Sequence, residues 1–245
     1  MNQYEYLAAA YDELMYDVMY EDWAGYIAGL LGEEVRTVLE YACGTGNITG
    51  CLLERGYEVT ATDISADMLD IAQKKLDRAH HGKVRFAQAD MADFSLNKPA
   101  DAAVCCCDGV NYILEEQRLR SFFENACANI RRGGRFLFDI SSAYKLENIL
   151  GNEFFYDDSD EATCLWQSAF DADASLLTMD VTLFRANGAC YKRYDERHTQ
   201  RAWARRQIED ALERAGFEDI HAFAFMTKDM PDNKTERIQF LAVKG

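Results

Sequence analysis

The chain has 245 residues, 49% hydrophobic and 28% charged, with 42 acidic against 26 basic side chains and a net charge of −16. That length supports one large core or two small ones, and the apolar fraction excludes a disordered chain. The acid surplus argues against nucleic acid or an anionic membrane as partner, since both are gripped mainly through Lys and Arg, and no run approaches the roughly 18 apolar residues of a membrane span. Arg201, Arg205 and Arg206 come nearest to a basic patch and read as a solvated helix face. The opening MNQYEYLAAAYDE is acidic where a signal peptide carries positive charge. The eight cysteines include no CxxC pair, so neither a disulfide scaffold nor a metal site is expected. These features predict a cytoplasmic protein.

In chain order, Val35 to Ala42 reads as a strand running into Cys43-Gly44-Thr45-Gly46. A helix follows with Ile48, Cys51 and Leu52 on one stripe and Gly56 as its stop. Tyr57 to Asp63 alternates like a strand. Ser65 offers an N-cap to a helix with Met68, Leu69, Ala72 and Leu76 on one face. Val84 to Ala89 and Asp101 to Cys107 are the third and fourth strands, the cysteine run being small buried side chains. An amphipathic helix spans Glu116 to Arg131, Gly133-Gly134 ends it, and Arg135 to Ile140 is a fifth strand. This alternation predicts an α/β fold: a doubly wound parallel sheet with helices on both faces.

The rhythm changes after Ser141. Three β segments lie between Ala162 and His198, and Asn187-Gly188 reads as a hairpin turn, because both residues tolerate positive φ. An antiparallel meander is therefore expected as an insertion over 141–200. Ile208, Ala211, Leu212 and Ala215 restore helical spacing, and Phe217 to Phe225 and Arg237 to Val243 read as closing strands. A single domain is expected, with 33–140 and 201–245 as its α/β core.

Ligands of open α/β sheets bind at the carboxyl ends of the strands. The first strand ends at Glu40, before a loop where Gly44 and Gly46 permit a sharp turn and a following helix N-terminus offers N–H groups to an anion. A dinucleotide fingerprint fails here: read from Gly44 the third glycine is Thr49, and read from position 42 the residues are Ala42, Gly44 and Asn47. A ligand carrying an ammonium beside a carboxylate fits better, with Glu40 meeting the cation. Asp63 ends the second strand about where an acid grips ribose hydroxyls. Asp90-Met91 ends the third and suits an adenine ring; Asp108 ends the fourth, ahead of Asn111-Tyr112.

Glu40-Tyr41-Ala42-Cys43-Gly44-Thr45-Gly46 resembles the glycine-rich first motif of the class I S-adenosylmethionine-dependent methyltransferases. Asp63, Ala89-Asp90-Met91, Gly133-Gly134 and the two closing strands match that family's later landmarks. The resemblance spans the whole chain, with 141–200 the least typical part and Ala42 standing where a glycine is usual. It implies a Rossmann-like seven-stranded sheet with an inserted antiparallel β meander, and S-adenosylmethionine as cofactor. Glu40 and the backbone of 42–46, including Ala42, Gly44 and Gly46, would surround the methionine moiety. Asp63 would hold the ribose with Ile64 and Met68 beside the adenosine, Asp90 and Met91 would address adenine, and Asp108 would lie near the methyl. Residues 1–32, with Tyr11, Asp12 and Trp23, resemble the helical cover of small-molecule members.

Methyl transfer is an in-line displacement that positioning alone can accelerate. The Pro-Pro step of adenine-N6 enzymes and the Pro-Cys nucleophile of cytosine-C5 enzymes are both missing. The expected reaction is methylation of N or O on a small-molecule acceptor, in a monomer or homodimer, with the 141–200 insertion walling the acceptor pocket. Tyr11, Tyr112, Tyr194, His198 and Arg201 are its candidate polar residues, and His198 could serve as a general base. No catalytic residue is otherwise singled out. The competing readings are an NAD(P)-dependent oxidoreductase and a non-catalytic S-adenosylmethionine-binding protein.

Overall fold

The computed structural model describes residues 4, 6–76, 79–158 and 162–245. After a 3-10 turn at Leu7–Ala10 come α1 (Tyr11–Leu14), α2 (Tyr20–Leu31), β1 (Thr37–Tyr41), α3 (Asn47–Glu54), β2 (Glu58–Asp63), α4 (Ala66–Leu76) and β3 (Val84–Gln88). Then follow β4 (Ala100–Cys105), a 3-10 turn at Gly109–Tyr112, α5 (Glu116–Asn129) and β5 (Ile130–Ser141). The inserted strands are β6 (Phe154–Asp158), β7 (Ala162–Asp171), β8 (Leu176–Asn187) and β9 (Cys190–Arg201). The chain closes with α6 (Arg205–Ala215), β10 (Phe217–Ala224) and β11 (Arg237–Lys244).

Seven strands form one sheet in the order β10-β11-β5-β4-β1-β2-β3, and β6 to β9 form a second, antiparallel sheet. Within the first, β1 pairs in parallel with β2 and β4, while β11 is antiparallel to both β5 and β10. Burial of both faces explains the apolar strands. Along β4, Ala103 and Cys105 join the core beneath α5 and α6, while Ala102 and Val104 join that beneath α2 and α3. The strand order reverses between β1 and β4, which opens a crevice at their carboxyl ends.

Four local expectations need correcting. Gly133-Gly134 does not separate helix from strand but lies inside an irregular start of β5, where the register shifts between Ala100↔Ile130 and Ala102↔Arg135. A Cβ at Gly134 would stand 2.6 Å from the Asp101 carbonyl oxygen, so the close approach of β4 requires glycine. The inserted sheet has a fourth strand, β6. The β8–β9 turn tip is Gly188-Ala189, with Asn187 paired to Cys190, one residue later than the turn signal indicated. Arg201 ends β9 and is not on a helix; Arg205 and Arg206 are on α6 and pair with Glu209 and Asp210. Among the described residues, no helix is long and apolar enough to cross a membrane.

Candidate cofactor and acceptor site

At the end of β1 the chain turns through three positive-φ residues: Ala42 at 51°, Gly44 at 55° and Gly46 at 79°. Ala42 thus adopts the left-handed conformation its methyl group disfavours. Gly44 donates its N–H to Asp63 Oδ2 at 2.8 Å, and nothing lies within 4 Å of where its Cβ would be. Gly46 is the N-cap of α3, and a Cβ there would press on Leu76 and Ala72 of α4 at about 3 Å, so close helix packing also requires glycine at this position.

Glu40 is 2% exposed, and among the described residues its carboxyl accepts a hydrogen bond from Thr49 Oγ1 at 2.6 Å. Burial, with Asp63 nearby, pushes its pKa up to about 8. A buried acid so placed gains strongly from a cation. Asp63 is oriented by the N–H groups of Gly44 and Ser65, both at 2.8 Å, and burial raises its pKa against those bonds. Ser65 Oγ in turn accepts from Met68 N, as an N-cap should.

A cavity of about 340 Å³ runs along these strand ends. Ala42, Asp63, Ile64, Asp90, Met91 and Tyr112 are among its lining residues. Ile64 is 66% exposed there, an unusual position for a large apolar side chain. Asp90 accepts from Ala92 N at 2.9 Å and pairs with Arg118 at 2.6 Å. Met68 does not line the cavity: the apolar stripe of α4 turns it into the core, where it is 2% exposed. A smaller recess shares Ala42 and is bordered by Tyr11, Tyr20, Glu40, Gly44 and Cys107.

Asp108, next in the chain to Cys107 of the recess, is not a free acid facing a cation. Its Oδ1 pairs with Arg237 Nη2 at 2.8 Å, its Oδ2 accepts from Gln200 at 2.7 Å, and its N–H donates to Asp139 at 2.9 Å. Arg237 also pairs with Asp139. Burial alone would raise the Asp108 pKa, yet Arg237, Lys145 and Gln200 hold it below the ordinary value. Asp139, fully buried, is pushed up to about 6. Cys107 and Asp108 both have positive φ, at 57° and 51°, a strained pair of the kind that recurs at functional sites.

The acceptor side was only partly legible. His198, the candidate general base, is 2% exposed. The Tyr4 ring lies 4.7 Å and the Tyr112 ring 6.1 Å from its imidazole, and the Tyr4 and Tyr112 hydroxyls bond to each other at 2.6 Å. Tyr11 borders the smaller recess, and its ring lies 5.9 Å from that of Tyr4. Tyr194 stacks on Tyr6 instead of lining a cavity. Arg201 donates to the Leu114 carbonyl at 2.6 Å and stacks on Trp203, holding the loop before α5. Asp12 clamps the opening segment to the core, accepting from Thr45, Asn47 and Lys75. Sequence reasoning missed Tyr4, Asp139, Glu196, Gln200 and Arg237. For Glu196-x-His198-x-Gln200 the period-2 polar alternation was the available signal.

Sheet order, crevice and acid-lined strand ends define a Rossmann-like nucleoside-binding enzyme. The model of a methyltransferase domain matches residues 38–134. YqeM of Bacillus subtilis (strain 168), a protein named for methyltransferase activity, is 34% identical over 243 residues, 99% of this chain and 97% of that protein. The crystal structure of an S-adenosylmethionine-dependent methyltransferase from Clostridium acetobutylicum ATCC 824 is 33% identical, covers 100% of both chains and superposes with a TM-score of 0.88. CalS10 of Micromonospora echinaspora, an amino pentose methyltransferase, shares the fold at 18% identity and a TM-score of 0.77, over 100% of this chain and 99% of that one. The chain belongs to the S-adenosylmethionine-dependent methyltransferase family.

The crevice suits that cofactor chemically. Ile64 and Met91 offer apolar surface to a purine, Asp63 presents a pre-oriented carboxylate to vicinal hydroxyls, and Glu40 is an underpartnered acid for an ammonium. When bound, the cofactor supplies an electrophilic methyl on sulfonium.

Proposed function

We propose that this chain methylates N or O of a small-molecule acceptor, with the 141–200 insertion and the opening segment as the walls of its acceptor chamber. The observation that supports this reading is closure. Among the described residues, Tyr4 of the opening segment and Tyr112 of the turn after β4, both half-buried, meet around the buried His198 of β9, an enclosed cluster that favours a small acceptor over a macromolecule. The net charge of −16 further disfavours a nucleic-acid acceptor. Glu40, Ala42 and Gly44 hold the methionine end of the cofactor, Asp63 the ribose, and Ile64, Asp90 and Met91 the adenine. Tyr11 and Tyr112 border the acceptor. Asp108, fixed by Arg237 and Gln200, braces the turn that carries Tyr112. All eight cysteines are unpaired, in keeping with a reducing compartment such as the cytoplasm.

Incubation with methyl-labelled cofactor and size-fractionated cell extract tests the reading. Label is expected in the low-mass fraction. Label confined to protein or nucleic acid would overturn the acceptor class.

A further inference from the structure

Three polar side chains alternate on the inner face of β9: Glu196, His198 and Gln200, respectively 6%, 2% and 4% exposed. On neighbouring β8 the inward residues Leu177, Val181 and Leu183 are apolar, as a packed sheet face requires. Gln200 is accounted for by its bond to Asp108. The other two bond to each other, His198 Nε2 to Glu196 Oε2 at 3.1 Å.

Glu196 also accepts the backbone N–H groups of Tyr4, Tyr6 and Leu7. Burial would raise its pKa, but His198 and the Leu7 and Tyr6 N–H groups hold it below the ordinary glutamate value, so it stays a carboxylate. A carboxylate only accepts hydrogen bonds, so it fixes a proton on Nε2 and leaves Nδ1 with a lone pair. That Nδ1 is buried and has no hydrogen-bond partner among the described residues. Leaving a buried acceptor nitrogen unpartnered is costly, and a catalytic role is one physical reason for such a group. Among the described residues, the titratable groups around the ring are Glu196 on its own strand, Tyr4 from the opening segment and Tyr112 from the turn after β4. Met179 and Ser168, in register on β8 and β7, are uncharged.

We propose that His198 Nδ1 accepts the proton of the attacking atom, which makes the acceptor an N–H or O–H compound, and that Glu196 is the positioning residue that sets the imidazole. This deepens the small-molecule reading above and rests on it. The lone pair of the acceptor N or O forms a bond to the methyl carbon. The carbon–sulfur bond breaks, its electron pair stays on sulfur as a neutral thioether, and the N–H or O–H proton passes to Nδ1. The resulting imidazolium is stabilised by Glu196, as an oriented histidine–carboxylate pair allows. Because the Tyr4 ring covers the imidazole, an acceptor that reaches Nδ1 takes the place of that ring.

The full chain loaded with S-adenosylhomocysteine is the material for the first measurement. It has four histidines, so nitrogen NMR resolves the ring of His198, identified by its loss in His198→Gln. The Nε2–H tautomer is expected, and an Nδ1–H tautomer in the native protein would overturn the proposal. The second measurement is label transfer from methyl-labelled cofactor to the low-mass fraction of a cell extract. Gln at 198 keeps a donor for Glu196 but removes the base. His198→Gln should lower transfer by ~100-fold or more, leave S-adenosylhomocysteine affinity within about twofold, and abolish the rise in rate with pH on the acid side. Glu196→Gln should lose most transfer and shift the tautomer, while Glu196→Asp should restore both. Native rates in folded His198→Gln would refute the base and leave the methyltransferase reading standing. A native protein that labels nothing of low mass would refute both.

Discussion

Cofactor binding should expel a proton from Glu40, and the size of the effect follows from the site. The carboxyl has one hydroxyl partner and an unliganded pKa of about 8. At pH 7 it is therefore ~0.9 protonated. An ammonium docked against it favours the carboxylate and drives that proton off. The cofactor's own α-amino group, with a pKa near 7.7–8.0, takes up ~0.1 proton at the same pH. The net release is ~0.8 proton per site. By linkage, affinity should rise by a factor approaching ten between about pH 6 and 7 and level off toward pH 8, where release from Glu40 and uptake by the α-amino group cancel. Isothermal titration of S-adenosylhomocysteine in phosphate and in Tris at pH 7 measures the number directly, from the dependence of the observed heat on buffer ionisation enthalpy. Glu40→Gln should bind without release and with a flatter pH profile. A native release below ~0.2 proton would show that Glu40 does not meet the ammonium, or that burial does not hold it neutral.

Asp63→Asn should weaken S-adenosylhomocysteine binding by about 1–3 kcal/mol, the scale of lost hydrogen bonds to a charged group; a change under twofold by titration calorimetry would remove the ribose assignment. Arg237→Met strands Asp108 and Asp139, so unfolding in denaturant should show a loss of about 3–5 kcal/mol at pH 8. That loss should shrink toward pH 5, because both carboxyls, freed of the arginine, then protonate in the folded state; equal losses at both values would refute the pairing. Ala42→Gly relieves a left-handed alanine worth roughly 1–2 kcal/mol against about 0.5–1 kcal/mol of added chain entropy. The variant should be neutral to slightly more stable, and a loss above about 1 kcal/mol in a denaturant titration would contradict it.

Legibility tracked the range of the interaction. The glycine loop, Asp63 and the Ser65 cap lie within 26 residues of one another, and their spacing carried the reading. Met68 shows where a pattern stops: the stripe of α4 names an inward face, but only packing decides that this face buries Met68 in the core instead of lining the crevice. Asp108 was correctly placed at the end of β4 and wrongly left free, because Arg237 stands 129 residues away. The period-2 acids and amides of β9 were readable as an alternation. Which face turned inward depended on the opening segment folding back onto Glu196 across some 190 residues.

By itself the sequence determined the layered α/β core, the inserted meander and the glycine turn that ends β1, because helix and strand periods and a tight glycine turn are local consequences of side-chain pattern and backbone sterics. Only the tertiary structure decided the electrostatics. A carboxyl is a buried neutral acid, half of an ion pair or a carboxylate held by N–H donors according to what folds against it, and Glu40, Asp108 and Glu196 took these three fates in turn. The acidity of the chain was evident from composition; the role of each acid was set by burial and by partners distant in sequence.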